Sequence, residues 1–210
     1  MTFYETAIKQ PHLLIAGTTG SGKSVTMHKL IEAALTLPRA ELWMIDPKRV
    51  EFSRYIDHGA NYYASRTDAA AEALRFACSE MDKRYATLEK AHLTEWKNGD
   101  IFIFIDELAD LLIVPPRPQA REIEKYLSRL AQLGRAAHIH LIVATQFVRR
   151  QTLPLALVAN IPAVIGLRTR DRLESRMLIG APGCEMLPRY GYGYYLSPDY
   201  LRPQKIEIRV

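Results

Sequence analysis

The chain contains the segment Gly17-Thr18-Thr19-Gly20-Ser21-Gly22-Lys23-Ser24, which fits the pattern G-x-x-x-x-G-K-[ST] at every fixed position. Apolar residues fill 13–16 before it, and apolar residues recur at helical spacing over 27–35 after it. A glycine-rich turn between a buried strand and a helix points its backbone N–H groups at a phosphate, and the helix N-terminus adds favourable partial charge. The segment therefore predicts a nucleoside-triphosphate site made of all eight residues.

Two side chains of this segment have predicted roles in binding. In loops of this type the lysine reaches the β- and γ-phosphates, and the last hydroxyl is a ligand for Mg²⁺. We therefore expect Lys23 to bind phosphate, Ser24 to hold the metal, and ATP and Mg²⁺ to be the cofactors.

A second apolar run, residues 101–105, ends in the acids Asp106 and Glu107. Such an unbroken run is typical of a strand that is buried on both faces of a parallel sheet. We expect Asp106 to hold Mg²⁺ through water and Glu107 to polarise the attacking water as general base. The two acids would also suit the start of a helix, and the spacing leaves that alternative open.

A third apolar run, residues 139–144, ends in Thr145 and Gln146. A polar side chain at the end of a strand between the other two strands can sense the γ-phosphate and help to orient water. We therefore predict a catalytic role for Gln146, with a simple turn at the strand end as the alternative.

Strand and helix patterns alternate along the whole chain, which predicts an α/β fold with a mostly parallel central sheet and helices on both faces. One helix is expected near 119–137, after the segment 114–119, whose three prolines predict a loop. Tyrosine alternates with glycine over 190–195 and predicts a short C-terminal β-hairpin.

Together these segments resemble the FtsK/SpoIIIE family of DNA translocases. The likeness extends, in order, to Met44-Ile45-Asp46-Pro47-Lys48, Gly134-Arg135-Ala136-Ala137-His138-Ile139-His140 and Glu174-Ser175-Arg176. It implies a RecA-like P-loop NTPase, a motor of the FtsK–HerA group. Such a motor would form a homo-hexameric ring and move double-stranded DNA with ATP hydrolysis.

The resemblance also assigns residues outside the nucleotide loop. Arg176 matches the position of an arginine finger that enters the neighbouring subunit's site, and Arg135 is the second candidate. Arg149 and Arg150 fall in the region that faces the ring pore, where they would contact DNA phosphates. The alternatives are an ion pair for either finger candidate and a solvated surface pair for Arg149 and Arg150. Lys48 is expected to support the nucleotide site.

The chain differs from chromosome-segregating members of that family in extent and at two positions. We expect one motor domain over residues 1–210, without a membrane segment, a second motor lobe or a winged-helix module. A partner protein would then supply direction or loading. Phe147 and Val164 stand where those translocases more often carry arginine, so DNA contacts are expected to be distributed differently.

The composition agrees with a single globular domain. A net charge of +5 gives a mild preference for polyanions, and no apolar run approaches the length that spans a bilayer. We therefore expect a cytoplasmic protein without membrane insertion. Cys78 and Cys184 lack metal-ligand spacing, and Cys78 is predicted to be a buried, reduced thiol.

Two other functions compete with DNA translocation. One is a motor that moves polypeptide, related to the ATPases of type VII secretion, which usually occur as tandem modules. The other is a nucleotide-binding switch with slow turnover, which Glu107 and Gln146 argue against.

Overall fold

Residues 2–149 and 152–208 are described by a computed structural model of the chain. The strands are β1 (His12–Ala16), β2 (Glu41–Ile45), β3 (Tyr62–Ala64), β4 (Ile101–Ile105), β5 (Ile139–Thr145), β6 (Ala163–Gly166), β7 (Tyr192–Leu196) and β8 (Gln204–Glu207). The α-helices are α1 (Phe3–Ala7), α2 (Lys23–Leu35), α3 (Thr67–Ala91), α4 (Leu108–Leu112), α5 (Arg117–Leu133), α6 (Leu155–Val158) and α7 (Arg172–Ile179).

All eight strands join one sheet in the order β3-β2-β4-β5-β1-β6-β7-β8. The pairs from β3 to β6 are parallel, and β7 and β8 form an antiparallel hairpin on β6. This arrangement confirms the predicted mostly parallel sheet and its C-terminal hairpin. Because β5 lies between β1 and β4, the carboxyl ends of the three strands that carry the predicted site meet at one edge.

Alternate residues of the central strands face two separate apolar layers. In β1, Leu14 packs with the layer that contains α3 and α5, whereas Leu13 and Ile15 pack with the layer of α1 and α2. Since both faces of the sheet are covered, the central strands are apolar at nearly every position. The predicted helices on both faces are confirmed.

Helix α5 differs from the prediction at both ends. It begins at Arg117, inside the proline segment that was expected to be a loop, because Pro118 occupies the first turn, where no N–H partner is needed. It ends at Leu133, since the chain folds tightly at Gly134 before β5. A Cβ on Gly134 would lie 2.4 Å from the Ile139 carbonyl oxygen, so this turn requires glycine.

Two further expectations concern the core and the membrane. Cys78 and Cys184 are both buried and free, as predicted for Cys78. Within residues 2–149 and 152–208, no helix is long and apolar enough to cross a membrane.

Candidate nucleotide-binding site

The predicted phosphate loop joins the end of β1 to the start of α2. Gly20 and Gly22 have φ angles of 75° and 101°, a region that side chains strongly disfavour. A Cβ on Gly17 would lie 2.7 Å from the Leu167 Cβ. The turn therefore requires glycine at Gly20 and Gly22. The close approach of Leu167, the residue after β6, requires it at Gly17.

Side chains of the loop are tied to neighbouring strands. Thr18 donates its N–H and its hydroxyl to the carbonyl oxygen of Arg168, at 2.8 Å and 3.1 Å. The Thr19 hydroxyl donates to Gln146 Oε1 at 2.6 Å. The Ser21 hydroxyl is buried and has no hydrogen-bond partner in the described part of the chain. Hydrogen bonds to Arg168 and Gln146 thus fix the loop, and the Ser21 hydroxyl still lacks a partner within the described residues.

Lys23 folds back over this loop. Its ammonium donates to the carbonyl oxygens of Gly17 at 2.8 Å and Thr18 at 3.0 Å. Burial lowers the pKa of Lys23, although the nearby carboxylates of Glu107 and Asp106 act in the opposite direction. An ammonium group can equally donate to phosphate oxygens, so these two carbonyl partners can be replaced by a bound phosphate.

A cavity of about 570 Å³ opens beside the loop. Its volume lies within the range of small-molecule sites, about 300–1,000 Å³. The lining residues are Thr19, Gly20, Gly22, Lys23, Ser24, Val25, Lys48, Val50, Glu51, Asp106, Gln146 and Tyr190. The structure therefore brings loop residues, Asp106 and Gln146 together, as the sequence predicted.

Carboxylates crowd the side of the cavity where a metal is expected. Burial and the charges of Glu51 and Asp46 raise the pKa of Asp106 to about 7. Ser24 donates its hydroxyl to Glu51 at 2.7 Å. A hydroxyl and carboxylates in this position form the all-oxygen donor set that Mg²⁺ prefers, and a cation there would relieve the repulsion.

Glu107 lies behind the cavity wall and does not line the cavity. Its side chain is 1% exposed. It accepts hydrogen bonds from the Thr145 hydroxyl at 2.8 Å, the Gln146 N–H at 3.0 Å and the Ala109 N–H at 3.2 Å. It also caps the N-terminus of α4, so the helix-start alternative describes part of its role. Through these hydrogen bonds Glu107 fixes the end of β5 and the Gln146 backbone that follows it.

Three residues near the cavity were not predicted from the sequence. Glu51 follows β2 and contacts Ser24, and Tyr190 lies exposed at the cavity mouth. A Cβ on Gly20 would lie 3.3 Å from the Arg189 guanidinium, which therefore packs against the phosphate loop. The alternation of tyrosine with glycine predicts a hairpin next to Arg189 and Tyr190. It does not indicate that these two residues lie near the phosphate loop. Lys48 forms an ion pair with Asp110 at 3.1 Å and lines the cavity as expected.

The model of the FtsK/SpoIIIE family matches residues 2–100 and 90–152, which together make up more than half of the chain. The chain belongs to the FtsK/SpoIIIE family. It is 33% identical, over an alignment of 227 positions, to a protein of Streptomyces avermitilis named DNA translocase FtsK, covering 95% of this chain and 25% of that one. The chain thus spans about a quarter of the length of the curated relatives that it matches.

Solved structures of P-loop ATPases share the fold of this FtsK/SpoIIIE chain. The conjugation coupling protein TcpA of pCW3, solved as a monomer with ATPγS, superposes with a TM-score of 0.83 at 26% identity, covering 95% of this chain and 60% of that one. The type VII secretion ATPase EccC of Thermomonospora curvata superposes with a TM-score of 0.74 at 24% identity, covering 94% and 25%. The likeness to EccC shows the fold alone.

Three of the arginines that the FtsK/SpoIIIE resemblance assigned, Arg135, Arg149 and Arg176, do not line the nucleotide cavity. Arg176 is exposed on α7, and Arg149 is exposed in the segment after β5. Arg150 lies outside the described residues. Arg135 is exposed and lines a different cavity, at the opposite edge of the sheet.

Val164 and Phe147, which stand where the family's translocases more often carry arginine, have different surroundings. Val164 is buried in β6, between β1 and β7, so it offers no surface for DNA. Phe147 is 37% exposed, and the Arg170 guanidinium lies 5.9 Å from the centre of its ring.

Proposed function

We propose that the protein is an ATP-hydrolysing motor that moves double-stranded DNA without sequence preference. One observation carries the proposal: the phosphate loop, Asp106 and Gln146 line one cavity in a chain of the FtsK/SpoIIIE family. Relatives named DNA translocases support DNA as the substrate.

The proposed chemistry divides between four side chains. Lys23 exchanges its two carbonyl partners for phosphate oxygens, and Ser24 together with Asp106 holds Mg²⁺, which neutralises charge on the phosphates when bound. Gln146 keeps its bond to Thr19 and orients the attacking water.

Glu107 has the role of general base in this proposal. Because Glu107 is 1% exposed, its surroundings must shift before the carboxylate can reach water, a change that suits a site completed only when nucleotide binds. Until that change, the buried carboxylate holds the Gln146 backbone in place.

The assembly and the DNA path are further parts of the proposal. A homo-hexameric ring would let the exposed Arg176 enter the neighbouring subunit's cavity as an arginine finger. Arg149 and Arg150 would contact phosphates in the pore, because phosphate contacts are alike at every register of a moving duplex. ATP and DNA meet in the cytoplasm, so a cytoplasmic location belongs to the proposal, as does a partner that supplies direction or loading.

The affinity for duplex DNA at several salt concentrations tests the DNA path. Each lost phosphate contact should flatten the slope of log K against log salt by about 0.9. Replacing Arg149 and Arg150 together by Ala should lower affinity equally on unrelated sequences. Arg121→Ala, an exposed arginine of α5, is the matched control. Superimposable lines for wild type and the double variant would remove both arginines from the path, and absence of duplex binding in ATP would favour the polypeptide motor.

A further inference from the structure

The edge of the sheet opposite the phosphate loop carries a compact group of three polar side chains. Asp100 precedes β4, His138 precedes β5, and His140 is the second residue of β5. Asp100 Oδ1 lies 2.9 Å from His138 Nδ1 and 2.9 Å from His140 Nε2. We propose that Asp100, His138 and His140 bind a Zn²⁺ ion.

The outer nitrogen of each ring is already occupied by an acceptor. His140 Nδ1 lies 3.0 Å from the Pro11 carbonyl oxygen, and His138 Nε2 lies 3.2 Å from Glu95 Oε1. Because a carbonyl oxygen only accepts, the proton of a neutral His140 ring is on Nδ1, and its lone pair at Nε2 points to Asp100. Histidines that bind metals donate their outer N–H in this way to a carbonyl or a carboxylate.

A cation resolves a conflict that this arrangement creates. With the His140 proton on Nδ1, the Nε2 lone pair faces an Asp100 carboxylate oxygen that also has only lone pairs to offer. A divalent ion between the three atoms satisfies all of them while both rings remain neutral.

The ligands are fixed before any ion arrives. The His140 ring stacks on Phe102, with centroids 4.6 Å apart and an interplanar angle of 16°. His138 has a φ angle of 52°, in the left-handed region that non-glycine residues seldom adopt, and its carbonyl oxygen accepts from the Ile101 N–H at 3.0 Å. Strand pairing therefore sets both imidazoles against Asp100, and little side-chain entropy would be lost on binding.

The donor set favours zinc. Two imidazole nitrogens and one carboxylate oxygen are typical of a Zn²⁺ site whose fourth position holds water. Bond lengths near 2.0–2.1 Å put tetrahedral ligands about 3.3 Å apart, so each of the two nitrogen–oxygen distances of 2.9 Å has to lengthen by only about 0.4 Å. The ligand atoms all lie within 4.8 Å of one another, and they border a cavity of about 450 Å³ with room for that water.

Metal titration of untagged protein that has been freed of metal with a chelator tests the site. Co²⁺ serves as the spectroscopic probe, because four-coordinate Co²⁺ absorbs strongly in the visible, and Zn²⁺ should then displace it at one equivalent. His138→Asn should abolish this binding yet keep the fold, since asparagine accepts a left-handed backbone. Glu95→Gln should weaken Zn²⁺ affinity by about 10- to 100-fold, as expected for an outer partner of a ligating histidine.

His58→Asn is the matched control, because His58 is exposed and far along the chain from the three ligands. It should bind Zn²⁺ as the wild type does. Failure of the wild type to bind Zn²⁺, or equal affinity of wild type and His138→Asn, would overturn the proposal. Since no step of the assay uses ATP or DNA, its result is independent of the motor activity.

Discussion

The Ser24 hydroxyl donates a hydrogen bond of 2.7 Å to Glu51 across the nucleotide cavity. The residue expected to bind Mg²⁺ is therefore hydrogen-bonded to a carboxylate. Glu51 also lies 3.5 Å from His28 and helps to raise the pKa of Asp106. These contacts make Glu51 part of the environment of the proposed metal.

Glu51→Gln should separate metal binding from nucleotide binding. The amide oxygen can still accept from Ser24, but one negative charge is lost. We expect the Mg²⁺ concentration for half-maximal ATP hydrolysis to rise severalfold, while metal-free ATP binds more tightly because its phosphates are repelled less. Glu32→Gln, an exposed acid on α2, is the control. An unchanged Mg²⁺ dependence in Glu51→Gln would exclude Glu51 from the metal's surroundings.

Glu107→Gln should keep ATP binding and lose turnover. Removal of a general base costs about 10²- to 10⁴-fold in rate, which single-turnover hydrolysis measures directly. Thr145→Val separates this effect from a purely structural one, because it deletes one hydrogen bond to Glu107 and leaves the carboxylate intact. If both variants lost turnover equally, Glu107 would act by holding the strand end and not as the base.

Arg176→Ala and Lys23→Ala should each inactivate the ring and partly restore activity when mixed. In equal mixtures, about one interface in four of a head-to-tail ring pairs an intact loop with an intact arginine. ATP hydrolysis by mixed subunits, with ring formation followed by light scattering, is the measurement.

Arg172→Ala lies on the same helix and serves as the control for Arg176→Ala, because its side chain is also exposed. It should retain activity without mixing. Mixed rings that stay inactive would reject Arg176 as the finger, and Arg135→Ala would then take its place in the same experiment.

Burial of His12 predicts a loss of stability in mild acid. Burial, the largest cause, lowers the pKa of His12 to about 3. The unfolded chain takes up a proton below about pH 6.5 that the folded protein does not bind. The free energy of unfolding should therefore fall by about 1.4 kcal/mol per pH unit from pH 6.5 down towards pH 3.

His12→Asn isolates this contribution, because the asparagine oxygen can still accept from the Leu141 N–H that His12 now binds. Denaturant unfolding at pH 7.5 and 5.5 should show a steeper loss in wild type than in the variant. Parallel losses would mean that His12 titrates normally in the folded protein.

The sequence predicted the parts of the site that depend on local order along the chain. The glycine loop, the strand ends at Asp106 and Gln146, and the helix after the loop follow from spacing and hydrophobic patterning alone. The withdrawn position of Glu107 could not be predicted, because it depends on hydrogen bonds from Thr145 and Gln146 on the neighbouring strand.

Other features depend on register and loop packing between distant segments. Glu51 contacts the phosphate loop because of the path that the chain takes after β2. No pattern in the sequence indicates that path. The group of Asp100, His138 and His140 forms because β4 and β5 pair in a register that sets Phe102 opposite His140. The start of α5 differs from the prediction for another reason: prolines in sequence predict a break, yet a first helical turn accepts proline.

Steady-state ATP hydrolysis with and without double-stranded DNA tests the central claim most directly. Wild type should hydrolyse ATP with Mg²⁺, and duplex DNA of any sequence should raise the rate. Lys23→Ala should abolish hydrolysis, whereas Lys29→Ala, on the same helix but paired with Glu32, should leave it unchanged. Hydrolysis that duplex DNA does not stimulate, or a wild type no faster than Lys23→Ala, would contradict the account.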